Sequence, residues 1–165
     1  SKKESKTVFP TASGKNWGTY GTAYQGPGSN HTGEDFYGSY NDHIYATQRG
    51  VVIEVVNVHW NDFRANGKGD TTSDRVSPLG KNASRKYFGN YIVLQYQDGV
   101  YAFYAHLSQT SIDLVKVNDI VEPGDLIGYM GSTGNSTGAH LHFEIRKTLM
   151  AGSHINPVTY YSPTN

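Results

Sequence analysis

Asn90-Tyr91-Ile92-Val93-Leu94-Gln95-Tyr96-Gln97-Asp98-Gly99-Val100-Tyr101-Ala102-Phe103-Tyr104-Ala105-His106 consists of two apolar runs joined through Asp-Gly. Branched and aromatic side chains suit a pleated, half-buried surface. Asp-Gly suits the tight turn between two strands, where positive φ is needed. The stretch therefore predicts a hairpin: strand 90–96, a turn at Asp98-Gly99, and strand 100–106. Working outward, 44–58 reads as strands with Gly50 at the turn, and Val51-Val52-Ile53-Glu54-Val55-Val56 is nearly continuous. Downstream, the turn chemistry of 119–125 leads into a strand at 126–130. Gly131 to Gly138 is a Gly/Ser/Thr loop, and 140–146 is the last clear strand. No repeat and no long amphipathic helix interrupts this pattern. The fold class is mainly β, one antiparallel β-sheet domain shaped as a small barrel or a sandwich-like sheet.

Composition agrees. Gly is 19 and Tyr 13 of 165 residues, a balance that favours strands and tight turns. The length suits one domain, assigned to 8–165, with the polar Ser1-Lys2-Lys3-Glu4-Ser5-Lys6 and Thr7 as a linker stub. Residues 59–88 hold no period of 2 or 3.6 and read as a long loop insertion between strands. Lys plus Arg is 14 and Asp plus Glu 14, with no basic run, so neither nucleic acid nor an anionic membrane surface is an expected partner. Cys is 0, which excludes disulfides, thiolate metal sites and cysteine nucleophiles. No apolar run approaches the ~20 residues of a membrane-spanning helix.

The chemistry resides in histidines. In His140-Leu141-His142, strand alternation sends both imidazoles to one face and Leu141 to the other. Glu144 shares the histidine face and can hold a ring nitrogen from behind. His31-Thr32-Gly33-Glu34-Asp35 sets a carboxylate four residues after a histidine, with Gly33 letting the backbone bend between them. Zinc takes imidazole nitrogen and carboxylate oxygen, and a catalytic site keeps three protein ligands plus an open position. His31, Asp35 and one of the paired histidines fill that count, and His106 at the end of the hairpin is a fourth candidate that could stay uncoordinated. His43, His59 and His154 carry no companion motif. The metalloprotease helix motif, a Walker A loop, the dinucleotide-binding glycine spacing and the EF-hand order are all absent, and a zinc deaminase would need cysteines.

At these residues the chain resembles the lysostaphin-type zinc endopeptidases of peptidoglycan, peptidase family M23. His31-Thr32-Gly33-Glu34-Asp35-Phe36 resembles the family's first ligand motif. Gly89-Asn90-Tyr91-Ile92-Val93 with Tyr104-Ala105-His106-Leu107-Ser108 resembles its central hairpin. Gly131 to Gly138 leading into His140-Leu141-His142-Phe143-Glu144 resembles its most diagnostic stretch. Ala139 stands where the family commonly has Pro, Asn118-Asp119 replaces a usual Gly-Asp turn, and the 59–88 insertion is longer than typical.

The resemblance implies a central substrate groove with long surrounding loops. It implies one Zn2+ per chain held by His31, Asp35 and His142, and His140 with His106 as the unligated catalytic pair. It also implies Tyr24 as a further catalytic donor and Asn156 at the far end of the groove against substrate. The expected partners are bacterial peptidoglycan peptides, cut in the cross-bridges of Gram-positive walls. The expected setting is the cell wall, reached by secretion or from a phage particle, with the chain a monomeric domain of a larger multidomain or phage-associated protein. The competing expectations are a non-catalytic wall-binding module of the same fold and a metal-stabilised structural β domain of a phage tail.

Overall fold

The computed structural model describes residues 6–17, 19–22, 31–57, 88–134, 136 and 138–163. Tyr24, and all of the predicted insertion except Phe88, lie outside the described residues. The described residues form ten strands: β1 Lys15–Asn16, β2 Glu34–Tyr37, β3 His43–Tyr45, β4 Gly50–Val56, β5 Asn90–Tyr96, β6 Tyr101–Leu107, β7 Ile120–Val121, β8 Leu126–Tyr129, β9 His140–Arg146 and β10 His154–Ile155. A 3-10 turn, Pro157–Thr159, follows, and the described residues contain no α-helix. Eight strands form one antiparallel sheet in the order β1-β2-β9-β6-β5-β4-β7, with β10 also pairing with β9. The remaining strands, β3 and β8, pair with each other in a two-stranded sheet.

The mainly-β, antiparallel expectation holds, in its sandwich-like form. One face of the large sheet carries Phe36, Val52, Ile92, Leu94, Ala102, Tyr104, Leu141, Phe143 and Ile145. The small sheet covers them with Ile44 and Ile127, and Met130 just beyond β8 joins the same cluster. Strand alternation along β5, β6 and β9 produces this face, and its burial supplies the main hydrophobic stabilisation. The opposite face carries Tyr91, Val93, Phe103 and Ala105 as a smaller apolar cluster. Asp35, His140, His142, Glu144 and Arg146 lie on that same opposite face. All seven residues of β9 are buried, so this strand is covered on both sides although one side is polar.

One local expectation needs correction. Gly50 is not a turn residue but the first residue of β4, paired with Tyr96. A Cβ there would lie 2.7 Å from the Gln95 carbonyl oxygen, so the glycine serves close strand approach. Asn118 accounts for one departure from the family pattern: its φ is 78°, a left-handed conformation that asparagine tolerates better than most residues.

Candidate active site

The β2–β9 register places Asp35 opposite His142 and Tyr37 opposite His140, while β6–β9 places Ala105 opposite His142. His31 enters just before β2, its backbone held by Thr22 O and Gly21 N at 2.9 Å each. A Cβ on Gly33 would sit 2.5 Å from the Phe143 carbonyl oxygen and 3.0 Å from the His142 ring. Glycine is needed here for space rather than for the bend read from the sequence.

His31, Asp35 and His142 converge, all buried, with their donor atoms within 4.8 Å of one another. His31 Nε2 is 3.4 Å from Asp35 Oδ2, and His142 Nδ1 is 3.1 Å from Asp35 Oδ1. Donors around one tetrahedral zinc, each ~2.0–2.2 Å away, stand about 3.3 Å apart, so both separations fit. The outward nitrogens are occupied. His31 Nδ1–H donates to Gly33 O at 2.6 Å, because a carbonyl can only accept, and His142 Nε2 donates to Glu144 Oε1 at 2.9 Å. Glu144 also accepts from Thr32 Oγ1 at 2.6 Å and from Arg146 Nε. The Arg146 guanidinium lies 4.5 Å from the centre of the Phe103 ring.

His106 and His140 lie beside this trio with ring centres 4.7 Å apart. Regular alternation along β6 would turn His106 into the core after Ala102 and Tyr104. Instead the register with β5 shifts between Asn90 and Ile92, so Ala105 and His106 share the place of one residue. His106 has a φ of 63°, and Leu107 enters the core in its stead. Such a bulge re-aims a side chain. The loop after Gly131 then fixes both imidazoles. His106 Nδ1–H donates to Thr133 O at 2.7 Å, and His140 Nδ1–H donates to Gly138 O at 2.9 Å, with Ser136 Oγ 3.2 Å away. Each ring therefore keeps Nε2 as its acceptor, and His140 Nε2 points to Asp35 Oδ1 at 3.8 Å.

The electrostatics divide the five groups. Burial pushes His106 well below the usual imidazole range, and the neighbouring His140 and His142 add to that. Burial also lowers His140, partly offset by the Asp35 charge. Both are neutral bases near pH 7. For His142, burial is outweighed by hydrogen bonds to Asp35 and Glu144 and by their charges, and its pKa rises to about 9 in the metal-free chain. Burial would raise the Asp35 carboxyl, but the His142 hydrogen bond and the charges of His142, His140 and His31 hold it at about 2. Glu144 is likewise held at about 2, its burial outweighed by His142, Arg146 and Thr32.

The structure thus brings His31, Asp35, His142, His140, His106 and Glu144 together. Asn156 is exposed and caps the 3-10 turn, its Oδ1 accepting from Val158 N at 3.0 Å, which is the work of a turn residue. His154 meets the Tyr20 hydroxyl at 3.2 Å. Sequence reading passed over Arg146, Thr32, Thr133 and Tyr37. Alternation along β9 was a usable signal for Arg146, two residues after Glu144 on the same face. Thr32 and Thr133 act from loops, where no periodicity marks them.

The model of peptidase family M23 matches residues 29–157. The glycyl-glycine endopeptidase ALE-1 of Staphylococcus capitis is 33% identical over 118 residues, covering 71% of this chain and 25% of the relative. The DD-carboxypeptidase/endopeptidase Mpg of Neisseria meningitidis is 42% identical over 77 residues, covering 47% of this chain and 16% of that protein. The chain thus spans a quarter or less of the length of these curated relatives. Among solved structures, the catalytic domain of the prophage-encoded M23 protein EnpA from Enterococcus faecalis superposes with a TM-score of 0.64 at 25% identity, covering 94% of this chain and 98% of that one. The lysostaphin catalytic domain from Staphylococcus simulans gives 0.58 at 27% identity, covering 92% of this chain and 91% of that one. The chain belongs to peptidase family M23.

Proposed function

We propose that this chain is a zinc-dependent endopeptidase that hydrolyses peptide bonds in bacterial peptidoglycan, acting outside the cell on the cross-bridges of Gram-positive walls. The observation that carries the reading is the pairing of a three-donor site (His31, Asp35, His142) with two neutral imidazoles whose acceptor nitrogens are left available by backbone carbonyls. His31, Asp35 and His142 would hold the zinc, which would supply Lewis acidity toward the scissile carbonyl and the attacking water near neutral pH. His140, a neutral base close to Asp35, takes a proton from the attacking water and passes it to the departing amine. His106, the second neutral base, shares that proton transfer through Nε2, its Nδ1–H being held by Thr133 O. Glu144 holds the His142 ring, so that Nδ1 faces Asp35. Tyr24 is proposed as a further donor and Asn156 as a contact at the groove's end. Similarity to ALE-1, named a glycyl-glycine endopeptidase, supports a glycine-containing bridge. The balanced charge of the chain supports recruitment to the wall by a further domain of a larger or phage-associated protein.

The test is metal content together with wall digestion. His142→Ala is expected to lose both zinc and lysis. His140→Ala and His106→Ala are each expected to keep about one zinc and to lose activity by about 10²–10⁴-fold. Mass spectrometry of fragments from walls with different bridges then identifies the bond. Bound zinc without cleavage of any wall would favour the non-catalytic module instead.

A further inference from the structure

Beside His140 stands a stack of rings that the proposed chemistry does not use. The Tyr37 ring lies 5.2 Å from the His140 ring and 21° from parallel, and the Trp17 indole lies 4.0 Å from Tyr37 at 29°. The backbone pins both. Tyr37 is in β2, and β1 pairs Lys15 with Tyr37 and Asn16 with Phe36. Trp17 N–H then donates to Asp35 O at 3.2 Å. The Tyr37 hydroxyl donates to Asp35 Oδ2 at 3.4 Å, so the stack is tied to a carboxylate of the metal trio. Yet Trp17 is 64% exposed. A large apolar ring held rigid and left in water offers contact area at little cost in conformational freedom.

We propose that Trp17 and Tyr37 form a substrate shelf, a subsite for the peptide chain that leads away from the bond to be cut. This rests on the reading of the chain as a peptidoglycan endopeptidase. The shelf joins the catalytic cluster through the His140 ring, and each extended peptide residue advances ~3.3–3.6 Å. Trp17, one stacked ring beyond Tyr37, therefore meets substrate two or three residues from the reacting carbonyl. Neither shelf residue carries charge, and the electron-rich ring faces suit neutral amide planes better than a free carboxylate. A Gly- and Ala-rich strand has little side-chain area of its own, and flat contact of its backbone with a ring is the apolar contact it can make.

The experiment uses the zinc-loaded chain. The sequence has two tryptophans, so Trp60→Phe leaves Trp17 as the reporter, and His106→Ala blocks turnover. Emission is followed while adding sugar-free cross-linked peptides released from Gram-positive walls by an amidase, or N-acetylglucosamine oligomers. A saturable change with the peptides and none with the sugars is expected. In the catalytically intact chain, Trp17→Ala is expected to raise KM about tenfold on these peptides, with Trp17→Phe restoring most of it. kcat is expected to stay within about twofold. Unchanged emission with peptides, together with an unchanged KM for Trp17→Ala, overturns the shelf, and a response to the sugars alone overturns the peptide occupant. If the parent chain cuts no wall but the peptides still shift Trp17 emission, the endopeptidase reading falls and the shelf stands. Neither cleavage nor an emission response overturns both.

Discussion

His142 is held between two carboxylates that pull on opposite ring nitrogens, Asp35 at Nδ1 and Glu144 at Nε2. Behind Glu144 stands Arg146, almost fully buried and packed on Phe103. The order Arg146, Glu144, His142 carries the orientation of the ring from the apolar cluster to the metal trio. Arg146→Met is expected to leave the Glu144 charge buried with less compensation and to cost about 3–5 kcal/mol of stability, read by denaturant unfolding. Glu144→Gln keeps an acceptor for His142 but removes charge. It is expected to weaken zinc affinity about 10–100-fold in competition with a chelating dye and, because buried Arg146 loses its counter-charge, to lower the unfolding midpoint as well.

Among the elements, β2, β6 and β9 do the positioning, and loop 131–138 locks it. Thr133 is central there: its Oγ1 donates to Leu107 O at 2.7 Å and accepts from Asn90 N at 3.0 Å, while its carbonyl takes the His106 proton. These bonds close over the bulge that turns His106 to the site. Thr133→Val removes both Oγ1 bonds, while Leu107 O keeps the Asn90 Nδ2 donor at 3.2 Å. The expected cost is about 1–3 kcal/mol. Hydrolysis should fall while zinc content stays at the parent value, as measured by metal analysis. Gly33→Ala tests the β2–β9 contact. A methyl group 2.5 Å from the Phe143 carbonyl forces the strands apart. A loss of about 1–3 kcal/mol is expected, with weakened zinc binding.

Among the described residues, one sheet face builds the core and the other gathers Asp35, Glu54, Glu144, His106, His140, His142 and Arg146 in buried positions. Buried polar groups at such density stabilise a fold only when paired. Metal binding to the native state alone adds about 4 kcal/mol when free metal is a thousandfold above its Kd. Chelation is therefore expected to lower the melting temperature and readdition of zinc to restore it. His142→Ala should show neither effect, which calorimetry with and without chelator would read.

The short β1, β2, β7 and β10 were not legible in the sequence, whereas strands β3 to β6, β8 and β9, the turn at Asp98-Gly99, the shared face of His140 and His142, and the His31/Asp35 pair were. Each follows from a local rule: a period of two, a glycine at positive φ, or a ligand spacing within one segment. The partition of roles was not local. His142 and not His140 joins the trio because the β2–β9 register sets it opposite Asp35. Asparagine tolerates the left-handed turn at 118, but His106 takes its positive φ only because two residues of β6 share one place against β5. Gly33 and Gly50 serve close approach, which depends on strands that are distant in the chain. Trp17 joins Tyr37 and His140 only through the pairing of β1, β2 and β9. Residue type and period thus determined which elements form and which side chains can do chemistry. Strand register and bulges, set by contacts between distant segments, decided which of them meet.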